Sequence, residues 1–152
     1  MRILLILNAV FLLASITAAQ RPRELHLMPV PSTVQIGTGQ LPIDQTFSAV
    51  VTGFQNATLE RGVRRFVAEL SQQTGMLLKD KPSGPTNPTL LIHADHGREP
   101  VQKLGEDESY ELAITDSGAK LAAPNPLGIM HGLQTFLQLL GTTTNSATKR
   151  FP

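Results

Sequence analysis

The stretch from residue 125 to 141 constrains the fold of this chain more than any other. Asn125 is a good helix cap, and Pro126 suits the first helical position, where a missing N–H costs nothing. Apolar side chains then recur with a helical period at Ile129, Met130, Leu133, Phe136, Leu137 and Leu140. Gly128 and Gly132 each cost about 1 kcal/mol relative to alanine. We therefore predict a helix over residues 126–140 that Gly141 ends, with its backbone close to a sheet at Gly128 and Gly132.

A second helix is predicted over residues 58–74. Its apolar stripe consists of Leu59, Val63, Phe66, Val67 and Leu70. Asn56 or Thr58 can cap its start, and Gly75 can adopt the left-handed conformation that closes it. The other face is charged, with Arg61, Arg64, Arg65 and Glu69. This helix is expected to lie on a core with one side in water.

Short β-branched runs precede that helix. Leu25 to Pro31 is predicted to be extended, because Pro29 and Pro31 disfavour helical backbone in the residues before them. Residues 33–36 and 47–52 are predicted to be two strands of a meander, since glycines and a proline separate them.

Further strands are predicted at 89–94, the most apolar run, and at 110–115, where apolar and polar residues alternate. Residues 116–118 form a tight turn into 120–123, which completes a hairpin. A long charged loop occupies 95–108. The order of elements predicts an α+β fold, a mainly antiparallel sheet with two helices packed on one face.

The N-terminus has the pattern of a secretory signal. Arg2 precedes an apolar run from Ile3 to Leu13, and Ala18-Ala19 offers a cleavage site before Gln20. The run is too short for a membrane helix, which needs about 20 apolar residues. We expect residues 1–19 to be removed and the product to be periplasmic or extracellular, with no membrane attachment afterwards.

Composition excludes some classes of function. Without the signal, basic and acidic residues are equal in number, so there is no electrostatic footprint for nucleic acid or an anionic membrane. The chain has no cysteine, which excludes disulfides and a lipid-anchored cysteine. It has six Phe, one Tyr and no Trp, and this leaves few aromatics for a sugar-stacking platform.

The acids of the stretch LGEDESYELAITDSG, residues 104–118, raise the question of a catalytic pair. Glu106 and Glu108 would share a face about 6.5–7 Å apart if the backbone is extended. Paired glycosidase carboxylates lie roughly 5–9.5 Å apart. However, a catalytic acid needs burial or a neighbouring charge to raise its pKa, and this stretch has no apolar cover. We therefore interpret the acids as a solvated loop that bonds to local N–H groups.

Other candidate sites are weaker. His93 and His96 flank Asp95 at a strand end and could share a metal ion, but no third strong ligand follows from the spacing. His26 and His131 stand alone among apolar neighbours and are interpreted as hydrogen-bonded histidines. Asn56-Ala57-Thr58 matches the N-glycosylation pattern, and it equally fits a helix start. From the residues alone we assign no catalytic, substrate-binding or metal-binding residue and no cofactor.

Several stretches in order resemble one known module. They are LMPVPSTVQIGTG, LSQQTG, LGEDESYELAITDSGAKLAA and NPLGIMHGLQTFLQLL, and together they extend from about Leu25 to Leu140. The most specific pieces are EDESYELAI and GLQTFLQL. The chain resembles the N-terminal accessory domain of glycoside hydrolase family 20, the β-N-acetylhexosaminidases.

The resemblance implies a non-catalytic, zincin-like α+β domain that packs on a following (β/α)₈ barrel. The family's chemistry belongs to an Asp-Glu pair on that barrel, with the substrate's acetamido group as nucleophile. In relatives the linker leads into a stretch like R-F-P-W-R-G at the first barrel strand, and this chain ends with Lys149 to Pro152. No catalytic or sugar-binding residue of the family is therefore carried over.

These observations lead to one favoured interpretation. Residues 20–141 are predicted to be the accessory domain of an exported hexosaminidase, and 142–152 a linker toward an absent barrel. The chain would be a fragment, a truncated product or part of a split reading frame, and inactive by itself. The alternatives are a stand-alone secreted carbohydrate-binding module and a metal-dependent site at His93 and His96.

Overall fold

The structure is a computed structural model that describes residues 25–37, 39–79, 87–99, 101 and 103–144, with the backbone alone for 141–144. Its elements are β1 (Ala49–Gly53), α1 (Ala57–Thr74), β2 (Leu90–Ala94), β3 (Glu111–Thr115), β4 (Gly118–Ala123) and α2 (Pro126–Thr144). The predicted signal peptide lies outside the described residues. No helix within the described ranges has the length and apolar character needed to cross a bilayer.

The four strands form one sheet in the order β1-β2-β4-β3. β2 pairs in parallel with both β1 and β4, and only the β3–β4 hairpin is antiparallel. The α+β class is confirmed, but the prediction of a mainly antiparallel sheet is wrong. The zincin-like description stays a prediction.

The physical reason for this error is the role of α1. A helix between two strands carries the chain back to the starting edge, so the next strand runs parallel to the first. The sequence interpretation instead paired residues 33–36 with 47–52 in a meander. In the structure 33–36 is an exposed segment without strand pairing, and α1 is the crossover from β1 to β2.

Helix α1 begins and ends where its sequence predicts. The Asn56 side chain accepts a hydrogen bond of 2.8 Å from the Leu59 N–H, so Asn56 rather than Thr58 is the cap. Gly75 closes the helix with φ of 69°, a left-handed conformation that costs glycine little.

Helix α2 begins as predicted but continues past its predicted end. Asn125 caps it, accepting from the N–H groups of Leu127 at 2.8 Å and Gly128 at 3.4 Å. Gly141 does not end the helix, which continues to Thr144. A single interior glycine costs only about 1 kcal/mol relative to alanine, which is too little to end a helix by itself.

Both helices cover the same face of the sheet. Alternate strand residues are buried toward them, namely Leu90, Ile92, Ala94, Ala119, Leu121 and Ala123. The helices add their apolar stripes to this one core. Phe47, Phe66 and Phe136 meet at its centre, with the Phe66 and Phe136 rings edge to face at a centroid distance of 5.5 Å.

The two glycines of α2 lie against the sheet, as predicted. A Cβ atom on Gly128 would collide with the Ser109 carbonyl oxygen and with the Ala123 side chain. A Cβ atom on Gly132 would collide with the side chain of Leu121 and approach the Tyr110 ring. These contacts explain why glycine is tolerated in the first half of the helix.

Residues 25–37, called the N-terminal strap below, cross the second half of α2. The Gln138 side chain both accepts from the Met28 N–H and donates to the Met28 carbonyl, each at 2.8 Å. Leu27 is 7% exposed and anchors the strap in the domain. The strap bends at Met28 and Pro29, which differs from the extended backbone predicted for residues 25–31, and it is held by a side chain instead of a neighbouring strand.

Candidate functional site

The candidate residues gather at the carboxyl edge of the parallel strands. The register aligns Gly53, Ala94 and Ala123 at the ends of β1, β2 and β4. The loop from 95 to 110 starts and finishes at this edge, and both helices begin there. In open α/β sheets ligands bind at such an edge where neighbouring connections leave toward opposite faces.

This edge has no such opening among the described residues, because both helices cover one face. The backbone groups that follow the strands bond to one another across the edge. Phe54 donates to the Ala94 carbonyl at 2.7 Å, and Asp95 donates to the Ala123 carbonyl at 3.2 Å. His96 donates to the Pro124 carbonyl at 2.9 Å, so the strand ends are tied together.

The three acids lie in residues 103–110, called the acidic loop below. Glu106 differs from the prediction, since its side chain is only 9% exposed. Its two carboxylate oxygens face the Arg98 guanidinium, with Oε1 3.4 Å from Nε and Oε2 3.3 Å from Nη2. No local sequence pattern pairs two residues that lie eight apart in an irregular loop. Sequence reasoning therefore missed the cover that Arg98 provides for Glu106. Glu106 is thus paired within the domain, as fork geometry favours.

Asp107 turns the acidic loop toward α2. Its carboxylate accepts from the Ser109 N–H at 2.8 Å, the local bond that the sequence predicts for these acids. Hydrogen bonds from the Ser109 side chain and backbone lower the pKa of Asp107. The Asp107 carbonyl accepts from the Asn125 side-chain amide at 2.7 Å. The capping residue of α2 therefore also fixes the acidic loop.

Glu108 makes the third contact of the acidic loop. Its Oε2 atom lies 3.3 Å from Nε2 of His131 on α2. Both side chains are partly in water, at 60% and 39% exposure. The prediction of a solvated acid holds for Glu108, whose carboxylate lies beside the His131 ring. The hydrogen bond predicted for His131 stays a prediction.

The arrangement of these acids does not match a catalytic pair. Glu106 faces a guanidinium and Glu108 faces an imidazole, so each has a different partner. An open depression of about 380 Å³ next to them is lined by Lys103, Leu104, Gly105, Glu106 and Glu108. It lies in one surface loop, and Leu104 beside it is fully exposed. Catalytic acids instead require a pocket that excludes water and positions a substrate.

His93 and His96 point to separate partners. His93 lies between Thr52, with Nδ1 3.0 Å from Oγ1, and Asp95, with Nε2 3.2 Å from Oδ1. The His96 ring bonds to the Gly97 carbonyl at 2.7 Å. No three potential ligands cluster around a common point within the part of the chain that is described. His26 is exposed on the strap, in contrast to the prediction of a bonded histidine.

The row Thr52–His93–Asp95 has the residue types of a nucleophile, a base and an orienting acid. The Thr52 hydroxyl, however, also donates to the Ile92 carbonyl at 3.0 Å. The His93 and Asp95 side chains are 48% and 62% exposed, so water reaches the row from outside. Nucleophilic catalysis also requires donors aimed at the developing oxyanion, and this open sheet surface presents no enclosed site for them.

The aromatic residues do not form a platform for sugars in the described residues. Phe47, Phe66 and Phe136 fill the core, and Phe54 packs against Gly97. The Tyr110 hydroxyl is 2.6 Å from the hydroxyl of buried Thr135. The sequence places Phe47, Phe66, Tyr110 and Phe136 on predicted helix or strand faces, which agrees with their burial.

Comparison with known proteins agrees with the resemblance of the sequence. Residues 24–152 match the model of glycosyl hydrolase family 20, domain 2. Beta-hexosaminidase subunit A1 of Dictyostelium discoideum is 30% identical over 128 residues, covering 84% of this chain and 23% of that protein. Beta-hexosaminidase 3 of Arabidopsis thaliana is 27% identical over 141 residues, covering 85% and 26%.

A solved structure shows the same fold. The chitobiase of Flavobacterium johnsoniae superposes with a TM-score of 0.69 at 30% identity, over 76% of this chain and 18% of that one. The chain thus spans about a quarter or less of these relatives. Because the family match covers nearly all residues after the N-terminal apolar run, the chain belongs to glycosyl hydrolase family 20, as a domain 2 of that family.

Proposed function

We propose that this domain is the non-catalytic accessory domain of an exported β-N-acetylhexosaminidase. Hydrolysis of terminal N-acetylhexosamine residues would take place in a separate (β/α)₈ catalytic domain of the same polypeptide. The observation that carries this proposal is the use of all three clustered acids in contacts within the domain. Glu106 binds Arg98, Asp107 binds Ser109, and Glu108 binds His131.

The extent of the relatives supports a division of labour between domains. The hexosaminidases of Dictyostelium and Arabidopsis are about four times as long as the segment that they share with this chain. Most of each relative therefore lies outside the shared segment. The part of each relative outside the shared segment is long enough to contain an enclosed pocket with the carboxylates that catalysis needs.

The role that the structure supports best is mechanical support of the catalytic domain by docking. The domain has its own core with helices on one face of a sheet, so it is a stable body against which a second domain can pack. Export follows from the signal-like pattern of residues 1–19. A stand-alone sugar-binding module lacks support, because the described aromatic side chains are at least half-buried.

The proposal predicts the behaviour of the full-length hydrolase. Removing residues 25–144 should lower its melting temperature and its yield, because the docking face of the catalytic domain becomes exposed to water. The matched control is the intact polypeptide with Glu106→Gln and Glu108→Gln, which should hydrolyse a chromogenic N-acetylglucosaminide at the parent rate.

Two results would contradict the proposal. One is a deleted protein that melts and hydrolyses like the parent, since the domain would then give no support. The other is a fall of about 10²-fold or more in the turnover of the double variant, the size expected for loss of a general acid or base.

A further inference from the structure

The triplet Asn56-Ala57-Thr58 has no part in the proposed function. The chain has five asparagines, and only Asn56 is followed by a residue other than proline and then by Ser or Thr. This is the pattern of an acceptor for an N-linked glycan in an exported protein. The same Asn56 caps α1, so a glycan is compatible with the fold only if the cap leaves part of the side chain free.

The cap uses one end of the Asn56 amide and leaves the other end free. The oxygen Oδ1 accepts the hydrogen bond of 2.8 Å from the Leu59 N–H. The nitrogen Nδ2 donates to no partner within the described ranges of the chain. A sugar attached to Nδ2 would therefore leave the cap intact, because the acceptor of the cap is the oxygen.

The free nitrogen also reaches the surface. Asn56 is half-buried, and among the described residues no buried side-chain nitrogen or oxygen lacks a hydrogen-bonding partner. Since Nδ2 has no such partner, it is not a buried atom. Gln55, Ala57, Thr58 and Glu60 around it are all exposed. An oligosaccharide on Nδ2 can thus extend into water without displacing any core side chain.

Asn125, the cap of α2, shows the opposite arrangement. It is 3% exposed, and its amide nitrogen donates to the Asp107 carbonyl at 2.7 Å. Pro126 follows it, and a proline at this position does not fit the acceptor pattern. Both asparagines therefore cap a helix through the oxygen, but only the nitrogen of Asn56 is available for chemistry.

We infer that Asn56 is a site of N-glycosylation, which takes an oligosaccharide from a lipid pyrophosphate carrier. Nδ2 forms a bond to the anomeric carbon of the first sugar and loses one proton. The bond between that carbon and the pyrophosphate oxygen breaks, and the oxygen takes the electron pair. The Thr58 hydroxyl supplies the third position of the pattern. The inference rests on the export that is part of the proposed function.

The test uses the protein exported by the cells that make it, as the parent and as the variants Thr58→Ser and Thr58→Ala. Both variants keep the Asn56 cap, and only Thr58→Ser keeps a hydroxyl at the third position. Thr58 is exposed, so all three proteins should fold and be exported alike. The peptide that contains Asn56 is measured by mass spectrometry before and after treatment with an amidase that releases N-linked glycans and leaves aspartate.

The parent and Thr58→Ser should carry the glycan, and the amidase should convert their Asn56 to aspartate. In Thr58→Ala the glycosylated fraction should fall at least about tenfold. An unmodified Asn56 in the exported parent would overturn the inference. A glycan that persists on Asn56 in Thr58→Ala would also overturn it, because the attachment would not depend on the pattern.

These outcomes are distinguishable from failure of the proposed function. An unmodified Asn56 in a product that begins near Gln20 leaves export and the accessory role standing, and only the inference fails. A product that keeps Met1 and stays inside the cell contradicts export, and that part of the proposed function then fails together with the inference. The deletion of residues 25–144 tests the supporting role independently of any glycan.

Discussion

The two helices are of nearly equal length, yet the protein uses them differently. Helix α1 buries one stripe and exposes a charged face, and its Glu60–Arg64 pair is half in water. Helix α2 contacts the sheet through two glycines, contacts α1 at Met130, and holds two chain segments through Gln138 and His131. Among its residues with described side chains, only Gln134 is exposed.

This difference shows what the conspicuous polar residues of the chain do. Asn125, His131 and Gln138 all lie at or on α2, and each binds a segment that has no regular structure. The acidic loop and the N-terminal strap are thus ordered by α2 and not by strand pairing. Polar residues that could be taken for catalytic groups instead make the contacts that hold these segments in place.

The largest effect should come from the core face of α2. Leu133 is 1% exposed, and Leu133→Ala should destabilise the domain by about 2–5 kcal/mol. For a domain of about 5–15 kcal/mol this loss is visible in thermal unfolding. Arg64→Ala, on the exposed face of α1, is the control and should melt within a degree or two of the parent. If both variants melt alike, α2 does not face a core.

The next test compares one glycine from each helix. Gly128→Ala should cost about 1–3 kcal/mol or more, because the new methyl group meets the rigid carbonyl of Ser109. Gly62→Ala on α1 meets only the flexible end of Met130 and gains helix propensity of about 1 kcal/mol. Its stability should therefore stay near that of the parent. Equal losses of free energy of unfolding would remove the distinction between the helices.

The two caps provide a smaller and more specific comparison. Asn56→Ala removes a cap that serves α1 alone, and such a change costs typically about 1 kcal/mol. Asn125→Ala should cost more, because Asn125 is 3% exposed and its amide also binds the Asp107 carbonyl. Urea denaturation measures both losses. An Asn125 loss no larger than that of Asn56 would mean that the acidic loop is not held by this bond.

Features that depend on residues close in sequence could be predicted, and features that depend on distant residues could not. Both helices, their caps and the close approach at Gly128 follow from local rules, because periodicity and capping act within a few residues. The sheet topology did not follow, since residues 33–36 and 47–52 look like strands by propensity alone. In the structure residues 33–36 pair with no strand, and the parallel pairing of β1 with β2 follows from the α1 crossover, which a local pattern does not encode.

The contacts of the candidate site also differ in how far apart in sequence their residues lie. Asp107 and Ser109 are two residues apart, and their local bond was predicted. Gln138 and Met28 are 110 residues apart, and Tyr110 and Thr135 are 25 apart. No pattern in the sequence joins such residues before the fold is known. The burial of Glu106 was missed for the same reason, since Arg98 and Glu106 meet only in the folded loop.

The loss of stability at low pH should reveal the hydrogen bond between Ser109 and the Asp107 carboxylate. Hydrogen bonds from Ser109 lower the pKa of Asp107 below its ordinary value of 3.8. This group therefore stabilises the folded state above about pH 4, and the contribution disappears as the pH falls through the lowered pKa. Asp107→Asn should reduce the drop in melting temperature between pH 5 and pH 2. An unchanged drop would contradict the bond.

A matched carboxyl lies in another segment. Asp44 also has a lowered pKa, because it accepts hydrogen bonds from Thr46. Asp44→Asn should reduce the same acid-induced loss independently, so the two variants should be additive. Strong non-additivity would indicate that the two segments communicate.

The most direct test of the account concerns the acids that first suggest catalysis. Residues 20–152 should be purified and incubated with a chromogenic N-acetylglucosaminide, beside the Glu106→Gln/Glu108→Gln double variant. We predict no turnover by either protein, because Glu106 is bound to Arg98 and Glu108 to His131 without an enclosed pocket. Turnover by the parent that disappears in the double variant would contradict the account and make the two acids a catalytic pair.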